Sequence, residues 1–315
     1  MSRYVIDKKL LDENIEIVKQ KAGVPLIGVV KGNGYGFGIK EITKILVEHG
    51  IKTFAVTEVT DLPILREILT DEDILVMRST CIKDECREIA KYGATATIGS
   101  LQAGQAMSEV ATEMGVTVKC HLKIDTGMGR YGFMPSEIED AIKCYSLPNL
   151  EFTGAYTHFS SAFRNHDLTK AQLEMFKDTM AKIKEKVGNV GILHASNSPA
   201  LLNVEDVCLD TVRIGSAFTG RVITKSKSGL HRLGSLEAEV VDVKTVPKGY
   251  FVGYNATYQT KRETKIAIVP IGHYDGFGLT KEKELITFRY VLSVFKSFLK
   301  KKQMYVKING RMYHV

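Results

Sequence analysis

The chain contains no tryptophan, only seven prolines among 315 residues, and no long apolar run. A membrane-spanning helix needs about 20 consecutive apolar residues, and no run in this sequence approaches that length. The first residues, MSRYVIDKKLLDEN, carry charges throughout and lack the apolar core of a secretory signal peptide. We therefore expect a cytoplasmic protein with no membrane partner.

Cysteines are few, odd in number and without a C-x-x-C pair, at positions Cys81, Cys86, Cys120, Cys144 and Cys208. This pattern does not suggest a disulfide framework, and reduced thiols are typical of cytosolic proteins. His121, His166 and His231 lack the spacing of metal ligands. We expect them to be surface or hydrogen-bonded histidines, and we predict no metal site.

The overall composition is that of an ordinary globular protein, with 44% hydrophobic and 25% charged residues. This excludes a disordered or collagen-like chain. The formal net charge of +7 is modest for this length, so it suits anionic ligands such as phosphates without requiring nucleic acid. A chain of 315 residues can form one large domain or two medium ones.

Short β-branched or apolar runs alternate with amphipathic stretches over the first two thirds of the chain. Eight strands are predicted, at 26–30, 53–57, 74–77, 96–98, 118–124, 152–157, 191–194 and 211–214. A helix is expected after each strand, for example one that ends at Gly50 and one over 170–187. Eight such repeats predict an α/β fold with a (β/α)8 TIM barrel, assigned to residues 1–228.

The pattern changes near Leu233, where SLEAEVVDVKTV, FVGYNATYQT and KIAIVPIG each read as a strand. Residues 229–315 are therefore assigned to a second, mainly β domain. An amphipathic segment near 281–302 predicts a helical insertion that ends in lysines. The last residues, MYVKINGRMYHV, predict two strands around an Asn-Gly turn.

A lysine stands at the end of the first predicted strand, in VVKGNGYGFG, directly before a glycine-rich loop. The carboxyl ends of barrel strands hold the active site, and burial there would lower the pKa of Lys31 toward neutrality. A neutral amine can form a Schiff base. The alternative is a surface lysine in a flexible turn. The spacing does not match a phosphate-binding P-loop.

VVKGNGYGFG resembles the pyridoxal-phosphate lysine motif of the alanine racemase family. The resemblance continues in order along the chain through CHLKIDTGMGRYGF, THFSSA, HASNSPA, DTVRIGSAFTG, VGYNATYQT and VPIGHYDGFG. It implies a pyridoxal-phosphate-dependent racemase that interconverts L- and D-alanine and supplies D-alanine for the cell wall. It also implies a homodimer with active sites at the interface.

The resemblance assigns roles to individual residues. Lys31 would bind pyridoxal phosphate covalently and act as one of two catalytic bases, and Tyr254 of the partner subunit would be the other. Tyr35, Ser198 and the backbone at Gly215 and Ser216 would bind the phosphate. The remaining assignments are His158 against the cofactor ring, Arg130 at the cofactor and the substrate carboxylate, Lys123 as a possible carbamate, and Arg213 at the pyridine nitrogen.

Arg213 gives the most specific expectation about the chemistry. An arginine only donates hydrogen bonds, so the ring nitrogen would stay unprotonated, which favours racemisation and disfavours a decarboxylase of related fold. His194 and Asn197 are candidates for supporting Arg213. The alternative is that Arg213 pairs with a nearby carboxylate such as Asp210. Asp125 follows a strand and is expected to cap or orient a loop.

Two departures from the family pattern leave alternatives open. His273 stands where the family commonly has a tyrosine near the substrate entrance, so serine or another amino acid is an alternative substrate. The family pattern also continues beyond the last residue of this sequence, which suggests a truncated C-terminal domain. A second alternative is therefore a catalytically impaired protein that binds pyridoxal phosphate without turnover.

Overall fold

A computed structural model describes residues 2–224, 228–256, 258–277 and 305–314. The chain divides into two compact units. One is Ile6–Gly234, and the other combines Met1–Val5 with Ser235–Val315. The predicted helix near 281–302 lies outside the described residues.

The larger unit alternates strands and helices. The short first strand, β1 Arg3–Ile6, lies mostly in the smaller unit. The strands of the larger unit are β2 Leu26–Val29, β3 Thr53–Val56, β4 Asp73–Ser79, β5 Thr95–Ile98, β6 Val118–Lys123, β7 Leu150–Tyr156, β8 Ile192–His194 and β9 Val212–Ile214. Its helices are α1 Lys8–Ala22, α3 Ile39–Glu48, α4 Leu62–Arg66, α5 Lys83–Lys91, α6 Leu101–Met114, α7 Ile138–Cys144, α8 His166–Val187 and α9 Ser198–Asn203, and the segment α2 Lys31–Tyr35 is a left-handed turn. All eight predicted strands are confirmed to within a few residues.

Strands β2 to β9 form one parallel sheet in the order β8-β7-β6-β5-β4-β3-β2-β9. The two end strands meet through a parallel bridge between His194 and Thr211. The N–H of Arg213 also donates to the carbonyl of Ser196 at 2.9 Å. These contacts close the sheet, and the predicted (β/α)8 barrel is confirmed.

The barrel interior contains both an apolar cluster and buried polar side chains. Side chains of β2, β3 and β4 form the apolar cluster with Tyr156 from β7, namely Ile27, Val29, Ala55 and Leu75. Strands β5, β6, β8 and β9 contribute buried polar and charged side chains, namely Thr97, His121, Lys123, His194 and Arg213. Buried polar groups need hydrogen-bond partners, so these side chains are candidates for a functional site.

The helices show why the pattern-based predictions succeeded and where one failed. In α8, Leu173, Phe176 and Met180 are buried at helical spacing, and the Asn165 side chain caps the first turn. The expectation of a helix after every strand is wrong for β9, which is followed by turns in the described residues. Helix α1 packs at this place, since the Asn14 amide donates to the carbonyl of Phe218 at 2.9 Å.

The second unit contains short antiparallel pairs. Its strands are β10 Gly234–Glu237, β11 Asp242–Val246, β12 Phe251–Val252, β13 Tyr258–Gln259, β14 Thr264–Ile268, β15 Tyr305–Ile308 and β16 Arg311–His314. β1 pairs with β10, β11 with β14, β12 with β13, and β15 with β16. The turn between β15 and β16 has positive φ angles at Asn309 and Gly310, so the predicted Asn-Gly hairpin is confirmed.

Two predicted strands of this unit are interrupted. SLEAEVVDVKTV forms two separate strands, β10 and β11. FVGYNATYQT forms a two-residue pair on either side of a 3-10 turn at Tyr254–Ala256. Gly253, with φ of 81°, turns the chain out of the extended conformation there. Tyr254 therefore lies in a turn and not in a strand.

Candidate active site

A cavity of about 430 Å³ lies at the carboxyl end of the barrel strands. Its lining residues all belong to the unit Ile6–Gly234. The cofactor residues implied by the family resemblance are among them, namely Lys31, Tyr35, Arg130, His158, Ser198, Arg213, Gly215 and Ser216, together with Lys123, the possible carbamate. The barrel therefore brings side chains from the ends of β2, β6, β7, β8 and β9 to one place.

The loop that follows Lys31 is a left-handed turn. Four consecutive residues, Gly32, Asn33, Gly34 and Tyr35, have φ between 53° and 62°. Glycine and asparagine tolerate this conformation, whereas for tyrosine it costs about 1–2 kcal/mol. The glycine-rich sequence thus allows a turn that regular L residues rarely form, and Tyr35 adopts the strained conformation within the cavity wall.

Tyr35 packs directly on Gly215 at the end of β9. A Cβ atom at Gly215 would lie 2.4 Å from the Tyr35 Oη. The backbone N–H of Ser216 donates to the same phenol, while burial, the larger effect, raises the pKa of Tyr35 to about 12. Because the phenol stays protonated and accepts from the backbone, its own O–H is left to donate.

Ser198, the first residue of α9, has the same arrangement. Its Oγ accepts hydrogen bonds from the backbone N–H groups of Gly215 and Ala217, both at 3.2 Å. A hydroxyl has two acceptor lone pairs and one donor, so these contacts use both lone pairs. The O–H of Ser198 is left to donate, beside the phenol of Tyr35. Asn197 caps α9 by accepting from the N–H of Ala200 at 3.1 Å, and among the described residues it forms no hydrogen bond with Arg213.

Arg213 is buried, with an exposed fraction of 3%. Its Nη1 donates to Nδ1 of His194 at 2.8 Å and to the His194 carbonyl at 3.1 Å. Its Nη2 donates to the carbonyls of Thr157 at 2.7 Å and Ala195 at 3.0 Å, and lies 3.4 Å from Nδ1 of His158. Four of the five guanidinium hydrogens are therefore engaged. In the described part of the chain, the fifth, on Nε, has no partner.

The alternative that Arg213 pairs with Asp210 is wrong. The Asp210 carboxylate instead accepts from the backbone N–H of Leu193 at 2.7 Å. Within the described ranges no carboxylate forms an ion pair with Arg213, so backbone carbonyls and imidazoles hold this cation. Burial lowers the pKa of Arg213 to about 10, which leaves it charged at pH 7.

Asp125 organises the loop that carries Arg130. Its carboxylate accepts from the backbone N–H groups of Gly127 at 2.9 Å, Met128 at 2.7 Å and Arg130 at 3.1 Å. These bonds lower the pKa of Asp125 against the opposing effect of burial. The prediction that Asp125 orients a loop is confirmed.

Two lysines in the cavity have lowered pKa values. Burial is the larger cause for Lys31, followed by the positive charges of Arg130 and Arg213. The same causes lower the pKa of Lys123 to about 7. Lys123 Nζ lies 5.3 Å from the ring centre of Tyr131 and 5.2 Å from that of Tyr156. Lys123 can therefore exist as a neutral amine close to physiological pH, and the pKa of Lys31 is shifted in the same direction.

His158 and Tyr156 complete the wall. Burial, followed by the charge of Arg213, lowers the pKa of His158 to about 2, so this imidazole is neutral. Tyr156 is fully buried and donates to the carbonyl of Met77 at 2.9 Å. Its ring stacks on His194 at 4.8 Å between centres. The sequence reasoning did not select Tyr156, because an aromatic residue in a buried strand indicates packing first.

Tyr254 does not belong to this cavity. It lies in the unit of Met1–Val5 and Ser235–Val315 and is 97% exposed. His273 lies in a 3-10 turn, His273–Asp275, of the same unit. The five cysteines are free. The described residues contain no group of three His, Cys, Asp or Glu side chains that could hold a metal ion, and no helix among them is long and apolar enough to cross a membrane.

Comparison with known proteins identifies the family. Residues 6–222 match the model "Alanine racemase, N-terminal domain", and residues 233–294 match "Alanine racemase, C-terminal domain". An alanine racemase of Methanococcus maripaludis is 33% identical over 282 residues, which cover 86% of this chain and 75% of the relative. One of Carboxydothermus hydrogenoformans is 34% identical over 266 residues, covering 83% and 71%.

Solved structures agree with the sequence relatives. An alanine racemase of Clostridium difficile superposes with a TM-score of 0.87 at 27% identity and covers all of this chain and 79% of its own. An alanine racemase of Bacillus anthracis with bound L-Ala-P gives a TM-score of 0.78 at 28% identity, covering 88% and 74%. On these matches across both units, the chain belongs to the alanine racemase family.

Proposed function

We propose that this protein is a pyridoxal-phosphate-dependent racemase that interconverts L- and D-alanine. The observation that carries the proposal is the cavity that joins Lys31, the hydroxyls of Tyr35 and Ser198, and a buried Arg213 with one N–H that has no partner among the described residues. Membership of the alanine racemase family supports it. The sequence assigns these residues to the same cofactor.

The phosphate end of the cofactor fits the hydroxyls at β9. Tyr35 and Ser198 each accept from backbone N–H groups of the segment 215–217 and keep an O–H to donate. Two convergent O–H donors suit an oxyanion. The site lies at the ends of the last two barrel strands, where TIM barrels commonly bind phosphate.

The pyridine ring of the cofactor fits at Arg213, where a hydrogen-bond donor needs an acceptor. The free Nε–H needs an acceptor, and a neutral ring nitrogen is one. Arg213 is held on its other side by Thr157, Ala195 and His194, so its position is fixed before any ligand binds. Because a guanidinium does not give up its proton at pH 7, it would keep that nitrogen unprotonated.

Two bases on opposite faces of the substrate would carry out the racemisation. Pyridoxal phosphate, when bound, supplies the electron sink that makes the Cα proton acidic. Lys31 holds or releases a proton at Nζ, which its lowered pKa assists. Tyr254 of a partner subunit would exchange the proton on the other face at its Oη. Arg130 would orient the substrate carboxylate through its guanidinium.

We also propose a homodimer that works in the cytosol. Tyr254 is 97% exposed in its own chain, so its ring is available to a second copy. The five free cysteines support a reducing compartment. Supply of D-alanine for the cell wall is the role proposed for the product.

Proton exchange at Cα tests the function directly. Purified protein, pyridoxal phosphate and separate L-amino acids, including alanine and serine, are mixed in D2O and followed by proton NMR. We expect the Cα–H signal of alanine to disappear while the amino acid is retained. Exchange of serine or another amino acid in preference to alanine would replace the proposed substrate.

A Lys31→Ala variant provides the control. It should lose both the exchange and the visible absorbance of the lysine-bound cofactor while the far-UV circular dichroism spectrum stays unchanged. A native protein that shows this absorbance but exchanges no amino acid would be a cofactor-binding protein without turnover. That outcome would overturn the proposed activity and leave the assignment of Lys31 intact.

A further inference from the structure

A chain of hydrogen bonds leads away from the cavity behind Arg213. Nη1 of Arg213 lies 2.8 Å from Nδ1 of His194, and Nε2 of His194 lies 2.9 Å from Nδ1 of His121. The exposed fraction is 0% for His194 and 6% for His121. These contacts join the middle of β9 to the middle of β6 through buried polar side chains of the barrel.

The donors in this series of hydrogen bonds all point in one direction, from Arg213 through His194 to His121. A guanidinium only donates, so Nδ1 of His194 accepts and the proton of this neutral ring lies on Nε2. That N–H then donates to Nδ1 of His121, whose own proton lies on Nε2. One arrangement of protons therefore satisfies every contact. A proton on Nδ1 of His194 would face the Arg213 N–H and remove the bond at 2.8 Å.

The surroundings favour neutral rings. Tyr156 stacks on His194 with an interplanar angle of 14°, and His121 meets the edge of His194 at 5.0 Å between centres. Burial lowers the pKa of His121 to about 4 and that of His194 well below its usual range. The charge of Arg213 is the next cause for both rings, and the charge of Asp73 acts in the opposite direction on His121.

The backbone leaves space for the His121 ring. A Cβ at Gly154 would lie 2.7 Å from Nε2 of His121. The pairing of β6 and β7 also shifts register between Cys120 and His121, so the neighbouring strand bulges at this position. A larger residue at 154 would displace the imidazole of His121, and the hydrogen bond between His121 and His194 would be lost.

We propose that His121 is a positioning residue: its Nδ1 lone pair holds His194 in the Nε2–H tautomer, which leaves Nδ1 of His194 to fix Arg213 and its free Nε–H toward the cavity. The part concerning the ring nitrogen rests on the proposed function. The tautomer of His194 does not, and it can be measured in the protein without cofactor.

Three variants separate the effect of the acceptor atom from that of the size of the ring. His121→Asn keeps an acceptor oxygen near the place of Nδ1, whereas His121→Gln moves the acceptor toward the place of Nε2. His121→Leu removes it. Each is compared with the native protein by far-UV circular dichroism and by long-range proton–nitrogen NMR of ¹⁵N-histidine-labelled apoprotein, with the signals of the eight histidines assigned by single substitutions.

The native protein and His121→Asn should show His194 as a single Nε2–H tautomer between pH 6 and 8. His121→Gln and His121→Leu should show averaged nitrogen shifts for His194, because the bond to Arg213 alone leaves the His194 Nε2–H buried without an acceptor and no longer excludes the other tautomer. A His121→Gln protein that keeps the native His194 tautomer would overturn the proposal. So would a native His194 with its proton on Nδ1. His121→Gln retains a polar side chain of similar size, so the test stands even if the leucine variant does not fold.

Activity gives a second, separate readout. The loss of one buried hydrogen bond should lower kcat/KM about tenfold in His121→Gln, with His121→Asn within about twofold of native. Unchanged kcat/KM in His121→Gln, together with an altered His194 tautomer, would overturn the link to Arg213. A native protein that fails to exchange any amino acid would refute the proposed function, while the NMR result would still decide the role of His121.

Discussion

Acid should destabilise the barrel more than its exposed residues require, because imidazoles are buried there in neutral form. His121 has a pKa of about 4 in the folded protein, against an ordinary value of 6.5. At pH 7.5 the ring is neutral in both folded and unfolded chains. As the pH falls below 6.5, His121 becomes protonated in the unfolded chain but stays neutral in the folded chain. The free energy of unfolding therefore decreases.

The size of the effect follows from the two pKa values. At pH 5 an unfolded histidine is almost fully protonated, which favours unfolding by about 2 kcal/mol relative to pH 7.5. His158, with a pKa of about 2, adds about the same amount, and His194 acts in the same direction. The combined loss of about 4 kcal/mol or more is a large part of a typical total stability of about 5–15 kcal/mol.

Urea unfolding of the apoprotein at pH 7.5 and pH 5.0, followed by far-UV circular dichroism, measures this loss. His121→Asn removes one titrating ring, so the difference between the two pH values should shrink by about 2 kcal/mol. His273→Asn, at an exposed position in the second unit, is the matched control and should keep the native difference. If His121→Asn also keeps it, the buried neutral state assigned to His121 is refuted.

Three further changes test other parts of the structure. Gly215→Ala places a Cβ 2.4 Å from Tyr35 Oη, so the Kd of pyridoxal phosphate should rise at least about tenfold in an absorbance titration; Ser216→Ala, which keeps the backbone donor, should bind normally. Lys123, with a pKa of about 7, should add CO2 at its neutral amine with loss of a proton. ¹³C-bicarbonate should then give a carbamate carbon signal that Lys123→Ala lacks and Lys119→Ala keeps, and absence of that signal in the native protein would contradict the carbamate. Asn14→Ala removes three hydrogen bonds to the backbone of Phe218 and His231 and should cost about 3 kcal/mol in urea unfolding. Lys9→Ala, exposed on the same helix, should cost little, and equal losses in both variants would contradict the role of Asn14.

The barrel could be predicted because its strands differ from their surroundings in residue type. Each strand from β2 to β9 is a short run of β-branched or apolar residues that ends in a polar or glycine-rich segment. The second unit could not be predicted as well. A pair of two-residue strands such as Phe251–Val252 and Tyr258–Gln259 is too short to show the alternation of apolar and polar residues that marks a strand. Its bend depends on the positive φ of Gly253.

The partner of Arg213 shows a different limit. Asp210 is three residues before Arg213, and proximity in sequence suggested an ion pair. Asp210 precedes β9, and its carboxylate accepts from the backbone N–H of Leu193. Arg213 is buried and donates to His194 and Thr157, which lie on other strands or at their ends. Proximity in sequence does not indicate these partners, because they are far from Arg213 along the chain.

The chemistry of the cavity depends on which charges the fold brings together. The net charge of +7 is a sum over the chain and does not indicate where charged side chains cluster. In the folded barrel, five basic residues line one cavity, namely Lys31, Arg78, Lys123, Arg130 and Arg213, and Glu58 is the acidic residue that the described chain adds to that lining. Arg78 is paired with Glu85 at 2.8 Å, whereas Arg213 has carbonyls and imidazoles around it. A buried cation held in this way is costly unless a ligand accepts a hydrogen bond from it or carries the opposite charge. The folded arrangement therefore favours an anionic ligand with a hydrogen-bond acceptor, most of all at the Nε–H of Arg213, for which the described residues supply no partner.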